Sequence, residues 1–194
     1  MSLKKSVTAI TLGLLLASSA SASNSLTFQG VTFNTWAVDS DTLGLSILNA
    51  TAATGNWAGA GFLKAFEIKD IGNVTNAVVT SGPGAFGVTV DHGLSANLGC
   101  ATGGTPGACF FTSPPLALTN SMTWTIDFTG SSLNLSAPHL KVQFLQNATD
   151  TKATGDLLSR TIPAVPEPET YAMLLAGLGL MGAVARRRQQ ASVR

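Results

Sequence analysis

The sequence predicts an all-β fold, an antiparallel β-sandwich of jelly-roll-like or Ig-like type. Three observations lead there: apolar residues recur at every second position in short runs, those runs are rich in Thr and aromatic residues, and Gly or Asn punctuates the gaps. Period two sends successive side chains to opposite faces, so each run turns one side to a core and the other to water.

The runs follow in chain order. "SLTFQGVTFNTW" places Leu26 and Phe28, then Val31 and Phe33, on one face, with Gly30 available for a bulge or turn. "TLGLSILNA" repeats the pattern with Leu43, Leu45 and Ile47. "AGFLKAFEIKDIG" is ambiguous, because Phe62, Ala65, Phe66 and Lys69 fall at helical spacing while "AFEIKDIG" alternates; the alternation favours a strand. "AFGVTVDHG" contributes Phe86, Val88 and Val90, "MTWTIDFTG" contributes Met122, Trp124, Ile126 and Phe128, "SLNLS" contributes Leu133 and Leu135, and "HLKVQFLQ" contributes Leu140, Val142 and Phe144. This spacing corresponds to about seven to nine strands.

Both ends of the chain read as addresses. At the front, Lys4 and Lys5 precede an apolar run from about Val7 to Ala17 and the small residues Ala20, Ser21 and Ala22. That order is a secretory signal peptide over residues 1–22, cut after Ala22 by signal peptidase once the secretion machinery has exported the chain. The body is then residues 23–164, long enough for one domain with a core, and residues 165–194 form a tail. Within the tail, Tyr171 to Ala185 carries no charge and Arg186, Arg187 and Arg188 follow directly. A helix of that length reaches ~22 Å, a marginal single membrane helix against a hydrocarbon core of ~30 Å, and the arginines mark its cytoplasmic side. Just before it, Val165-Pro166-Glu167-Pro168-Glu169 is an extended segment whose prolines deny it helix and ladder hydrogen bonds, a suitable substrate for a processing enzyme.

The stretch "VPEPETYAMLLAGLGLMGAVARRR" resembles the PEP-CTERM sorting signal, a Pro-Glu-Pro motif, a hydrophobic helix and a basic cluster in that order, found on proteins of Gram-negative bacteria. The resemblance implies that an exosortase, a membrane-embedded transpeptidase-like cysteine enzyme, cuts in or beside Pro166, Glu167 and Pro168. It also implies residence at the cell surface or in an extracellular matrix, and it associates such proteins with exopolysaccharide and biofilm. Inside the same stretch, Gly177, Gly179 and Gly182 fit G-x-G-x-x-G, but no βαβ unit surrounds them as a dinucleotide site requires. Gly179 and Ala183 are better read as a small-residue face for another membrane helix.

Charge excludes one class of partner. The whole chain carries a formal +1, but its basic residues cluster in the two tails; the body has five Lys and Arg against eight Asp and Glu, a net −3. A nucleic-acid footprint is therefore not expected.

Cys100 and Cys109, separated by "ATGGTPGA", are expected to form a disulfide in an oxidising compartment and to hold a surface loop against the sandwich. Their spacing with His92 or His139 matches no zinc pattern, so neither metal nor cofactor is expected. Catalysis has little to work with: there are two histidines, no G-x-S-x-G elbow, and scattered carboxylates around Glu67. The expectation is a protein without enzymatic activity, with a secreted hydrolase as the least favoured reading. Asp39-Ser40-Asp41 and the Asp150–Asp156 loop are oxygen-rich, and ordinary Asp turns are favoured over Ca²⁺ sites. Four sequons begin at Asn49, Asn73, Asn134 and Asn147. Among the tryptophans Trp36, Trp57 and Trp124, the last alternates with core residues. Trp57 lies in the glycine-rich "TGNWAGAGF", where a buried loop anchor is favoured and an exposed ring offered as a candidate glycan contact is the alternative. With the loop aspartates it makes a carbohydrate-binding module the alternative to a structural surface or matrix protein.

Overall fold

A computed structural model of the chain describes residues 23–103, 106–164 and 174–182. Twelve strands are described: β1 (Ser23–Phe28), β2 (Val31–Ala37), β3 (Thr42–Leu48), β4 (Phe62–Lys69), β5 (Asn73–Ser81), β6 (Gly87–Val90), β7 (His92–Ser95), β8 (Gly99–Thr102), β9 (Gly107–Ala117), β10 (Ser121–Ser131), β11 (His139–Leu145) and β12 (Leu158–Thr161). Two five-stranded antiparallel sheets, in the orders β1-β2-β3-β10-β5 and β12-β11-β4-β9-β6, make the sandwich, and β7-β8 forms a separate two-stranded ribbon.

The alternation explains the layers. Leu43, Leu45 and Ile47 of β3 and Met122, Trp124, Ile126 and Phe128 of β10 are buried from the first sheet; Phe66 and Ile68 of β4, Phe110 of β9 and Leu140, Val142 and Phe144 of β11 are buried from the second. Ring contacts join them across the interior: Phe66 stacks on Phe110 at 4.8 Å and meets Trp124 at 5.6 Å, and Phe128 meets Phe110 edge-on at 6.3 Å. β1 and β2 are joined by Gln29 and Gly30, both at positive φ (49° and 80°), the turn whose twist matches a tight hairpin.

The ambiguous stretch is strand β4, central in the second sheet between β11 and β9. The count of seven to nine strands was low. β7, β8 and β12 are only four residues long and β5 and β9 carry Asn, Ser or Pro within them, so none shows a clean apolar alternation. "SLNLS" is not a strand. Asn134 Oδ1 accepts hydrogen bonds from the Ser136 backbone N–H and hydroxyl, a local turn that replaces ladder pairing, while Leu135 still packs into the core.

In the tail, residues 174–182 are helical. Among the described residues no helix is long and apolar enough to cross a membrane. The single membrane helix expected over 171–185 is thus not seen as a span; its remaining residues, the signal peptide, Val165, Pro166, Glu167 and Pro168, and Arg186 to Arg188 lie outside the described residues.

Candidate functional site

The tail leaves the sandwich at a defined corner. After β12 the chain runs back along β1, where the Ser25 N–H donates to the Pro163 carbonyl at 3.1 Å and Asn24 pairs with Ala164. Asn24 itself is buried, and its amide donates to the Ser136 carbonyl at 2.7 Å. The first and last residues of the body are therefore fixed to each other, and residue 165 follows one position after the last pairing.

A second feature covers the outer face of the second sheet. The β7-β8 ribbon lies over β4 and β11, where three groups hold it. Glu67, fully buried on β4, accepts from the Leu94 N–H at 2.7 Å and from Lys141 Nζ at 2.9 Å. Gln143 on β11 donates to the Ala96 carbonyl at 2.9 Å. Cys100 of β8 is bonded to Cys109 of β9, with the Cα atoms 5.7 Å apart. The expected disulfide is present, and what it fastens is this ribbon.

The histidines stand apart in role. His92 Nδ1 lies 2.6 Å from the Val90 carbonyl, so this nitrogen carries the proton and the ring closes the β6–β7 turn. His139, on β11, has Nε2 2.9 Å from Ser159 Oγ and Nδ1 3.3 Å from Thr161 Oγ1, both on β12. Asp70 is near, but its oxygen is 3.8 Å from Nδ1. A nucleophilic triad needs a carboxylate hydrogen-bonded to that nitrogen; here a threonine hydroxyl occupies the place. Burial, then the positive charge of Lys69, pushes His139 below the usual histidine pKa.

The oxygen-rich loops use their carboxylates internally. Asp39 Oδ1 accepts from the backbone N–H of Asp41 and Thr42 at 3.1 and 2.8 Å, bonds that hold its carboxyl below the usual range, while the hydrogen bond Asp41 shares with Asp39, and next the Asp39 charge, push Asp41 up. Asp150 Oδ2 accepts from the Asn147 N–H at 2.8 Å and Asp156 Oδ2 from the Asn56 amide at 2.9 Å. Asp39 and Asp150 thus close local turns, and Asp156 ties its loop to Asn56 across the fold. The four sequon asparagines are all exposed.

The tryptophans decide between the two readings of Trp57, against the glycan contact. Trp57 is not an exposed ring: it is fully buried, meeting Phe28 at 5.2 Å, Phe33 at 6.0 Å and Phe144 at 5.0 Å, all edge-on, while its indole N–H donates to the Asp156 carbonyl at 2.7 Å. A ring plugging the gap between two sheets cannot stack on a sugar. Trp124 is also buried, its N–H bonded to the Pro83 carbonyl at 2.9 Å. Trp36 is the one that faces outward, half-buried on β2 and laid across Gly44 of β3. The sequence held the signal: Val31 and Phe33 set the inward parity of β2, which leaves residue 36 on the other face.

A groove between the edge strands β5 and β6 is lined by residues such as Val78, Ser81, Phe86 and Val88, without an ionisable side chain among its lining. It offers no acid or base.

Comparison with known proteins bears on the tail. Neither the curated proteins nor the solved structures contain a match to the chain. Residues 164–189, beginning at the residue that pairs with Asn24, match the PEP-CTERM protein-sorting motif, which marks this chain as an exosortase-targeted, exported surface protein.

Proposed function

We propose that the protein is a structural or interaction component of the cell surface or extracellular matrix, without enzymatic activity, and that it acts alongside exopolysaccharide. The matched sorting motif at residues 164–189 carries this reading. In it, the signal peptide is removed after Ala22, so that the mature chain opens with β1. The apolar run with Arg186, Arg187 and Arg188 holds the exported chain at the inner membrane until exosortase cuts at or beside Val165, Pro166, Glu167 and Pro168. A disulfide is what an exported domain of this size gains from an oxidising compartment.

Intact mass and cell fractionation test the route. The native protein should lose its C-terminal segment near Pro166 and leave the inner membrane, whereas a Pro166→Ala/Glu167→Ala/Pro168→Ala variant should keep the tail and stay there. Full-length native protein in the inner membrane would overturn the sorting role. The same preparation, incubated with p-nitrophenyl esters and polysaccharides, should release no product; turnover abolished by Ser159→Ala would replace this reading with a hydrolase.

A further inference from the structure

Part of the outer face of the first sheet is a patch of uncharged side chains built around one aromatic ring. Its side chains are set by register. With Phe33 and Leu45 and Ile47 turned inward, the opposite parity places Asn34 and Trp36 of β2, Gly44 and Ser46 of β3 and Thr123 and Thr125 of β10 outward. Strand pairing sets them in two rows: Trp36 is opposite Gly44 and Gly44 opposite Thr125, while Asn34 is opposite Ser46 and Ser46 opposite Thr123.

Gly44 is what lets the ring lie down. A Cβ there would sit 2.0 Å from Trp36 Cε2 and 2.3 Å from Cζ2, so any other residue would lift the indole off the sheet. Beside it, the Asn34 amide donates to Ser46 Oγ at 3.1 Å, which fixes both groups in place. Trp57 and Trp124 are enclosed by other rings and spend their N–H groups on carbonyls; among the described residues, Trp36 has neither a ring partner nor an acceptor for its N–H. A partly exposed ring that rests on Gly44 and meets no other ring has its second face to offer.

The chemistry of the face selects its occupant. A pyranose presents C–H groups on its flat side and hydroxyls at its rim; the first suits an aromatic face and the second suits Thr, Ser and Asn. No side-chain cation lies in these rows; the one positive group is the α-ammonium that Ser23, opposite Trp36, carries in the mature chain. Along the face it is offset by Asp127, opposite Thr42 and close to the Asp39 and Asp41 pair, three carboxylates that disfavour an acidic polymer. At ~4.8 Å between strands the sheet offers a track ~19 Å wide, room for several sugar rings in line.

From this juxtaposition we infer that the outer face of the first sheet binds a neutral polysaccharide, with Trp36 as the stacking platform on Gly44 and Asn34, Thr123 and Thr125 as its hydrogen-bonding rim. The site gives the proposed matrix role a contact surface and rests on that reading for its biological setting, but binding is measured apart from processing, on the secreted protein whatever the state of its tail.

Affinity electrophoresis of the mature protein through gels holding β-glucan, xylan, galactomannan or, as the acidic control, alginate tests it. At least one neutral polymer should retard the protein and quench its tryptophan fluorescence, and alginate should not. Trp36→Ala should weaken binding about tenfold or more, the loss of ~1.4 kcal/mol of stacking. Thr125→Glu, which keeps the ring and sets a charge beside it at a partly exposed position, should do the same, and it decides the matter if Trp36→Ala loses its native circular dichroism. No retardation by any neutral polymer, retardation by alginate alone, or undiminished binding by either folded variant would overturn the inference, and none of these results bears on whether the tail is cut.

Discussion

His139 lies between two strands and two hydroxyls, and its surroundings favour the neutral ring. Because its folded pKa is depressed below the ordinary histidine value, the unfolded chain binds more protons in the window just below pH 6.5. The associated stability is fully present above that pH and is lost as pH falls towards the folded value. Urea denaturation at pH 7.5 and pH 5.5 should therefore give a lower midpoint at pH 5.5, and His139→Gln, which retains an amide for Ser159, should reduce the difference. A pH response unchanged in His139→Gln would assign it to another group. At this scale much of the chemistry was hidden in the sequence. The Glu67–Lys141 pair is legible as two residues but not as a pair, since their contact depends on β4 lying beside β11, 74 positions away along the chain. Trp57 fits the favoured reading, a buried loop anchor, but the glycan alternative stayed open in the sequence because glycine-rich neighbours signal a turn and say nothing of which way the ring points. Trp36 was recoverable from parity, and the need for a glycine opposite it follows only once β2 is paired with β3.

The β7-β8 ribbon is the element most dependent on its fastenings. It packs on the second sheet through Leu94, buried beside Ala65 and Cys109, and otherwise through hydrogen bonds to Glu67 and Gln143. Replacing both cysteines by serine frees a loop of about ten residues in the unfolded state and should cost ~2.5–3 kcal/mol of stability. Hydrogen exchange should show a larger loss of protection at the Leu94 and Ala101 amides than at the β10 amides, which fall only with the global stability; an equal loss at all of them would mean that the ribbon is part of the global unit. The cysteine spacing revealed this bond in the sequence, yet not the ribbon, whose "HGLS" and "GCAT" strands lack alternating apolar residues. Long strands such as β3, β10 and β11 were legible because three or four apolar residues in alternation leave only one parity that buries them. The tail divides in the same way. Its motif is written in the sequence and matched over residues 164–189, whereas a helix at 174–182 alone is too short to indicate what the segment does in a bilayer.

Across the whole molecule, the sandwich followed from composition and alternation, but the strand order did not, because nothing local says that β10 inserts between β3 and β5 or that β9 lies beside β4. The closure of the body was equally silent: Asn24 reads as one polar residue among many, yet its place in the fold joins the start of the domain to its end. Deleting Ser23 to Ser25 from the mature chain removes the Ser25–Pro163 hydrogen bond, the Asn24–Ala164 pairing and the Asn24–Ser136 contact, and should lower stability by about 2–4 kcal/mol at roughly one per bond. A urea midpoint equal to that of the intact mature chain would show that the corner contributes no stability. The same corner also decides how the domain responds to being pulled. Tension along a tether continuing from residue 165 enters at Ala164, where the other end of the chain is already pinned, so it strains the Ser25–Pro163 contact on the edge strand β1 before it reaches the strands inside the sheets. The seam at the attachment point works as a mechanical fuse, the first part to give while the sandwich keeps its shape.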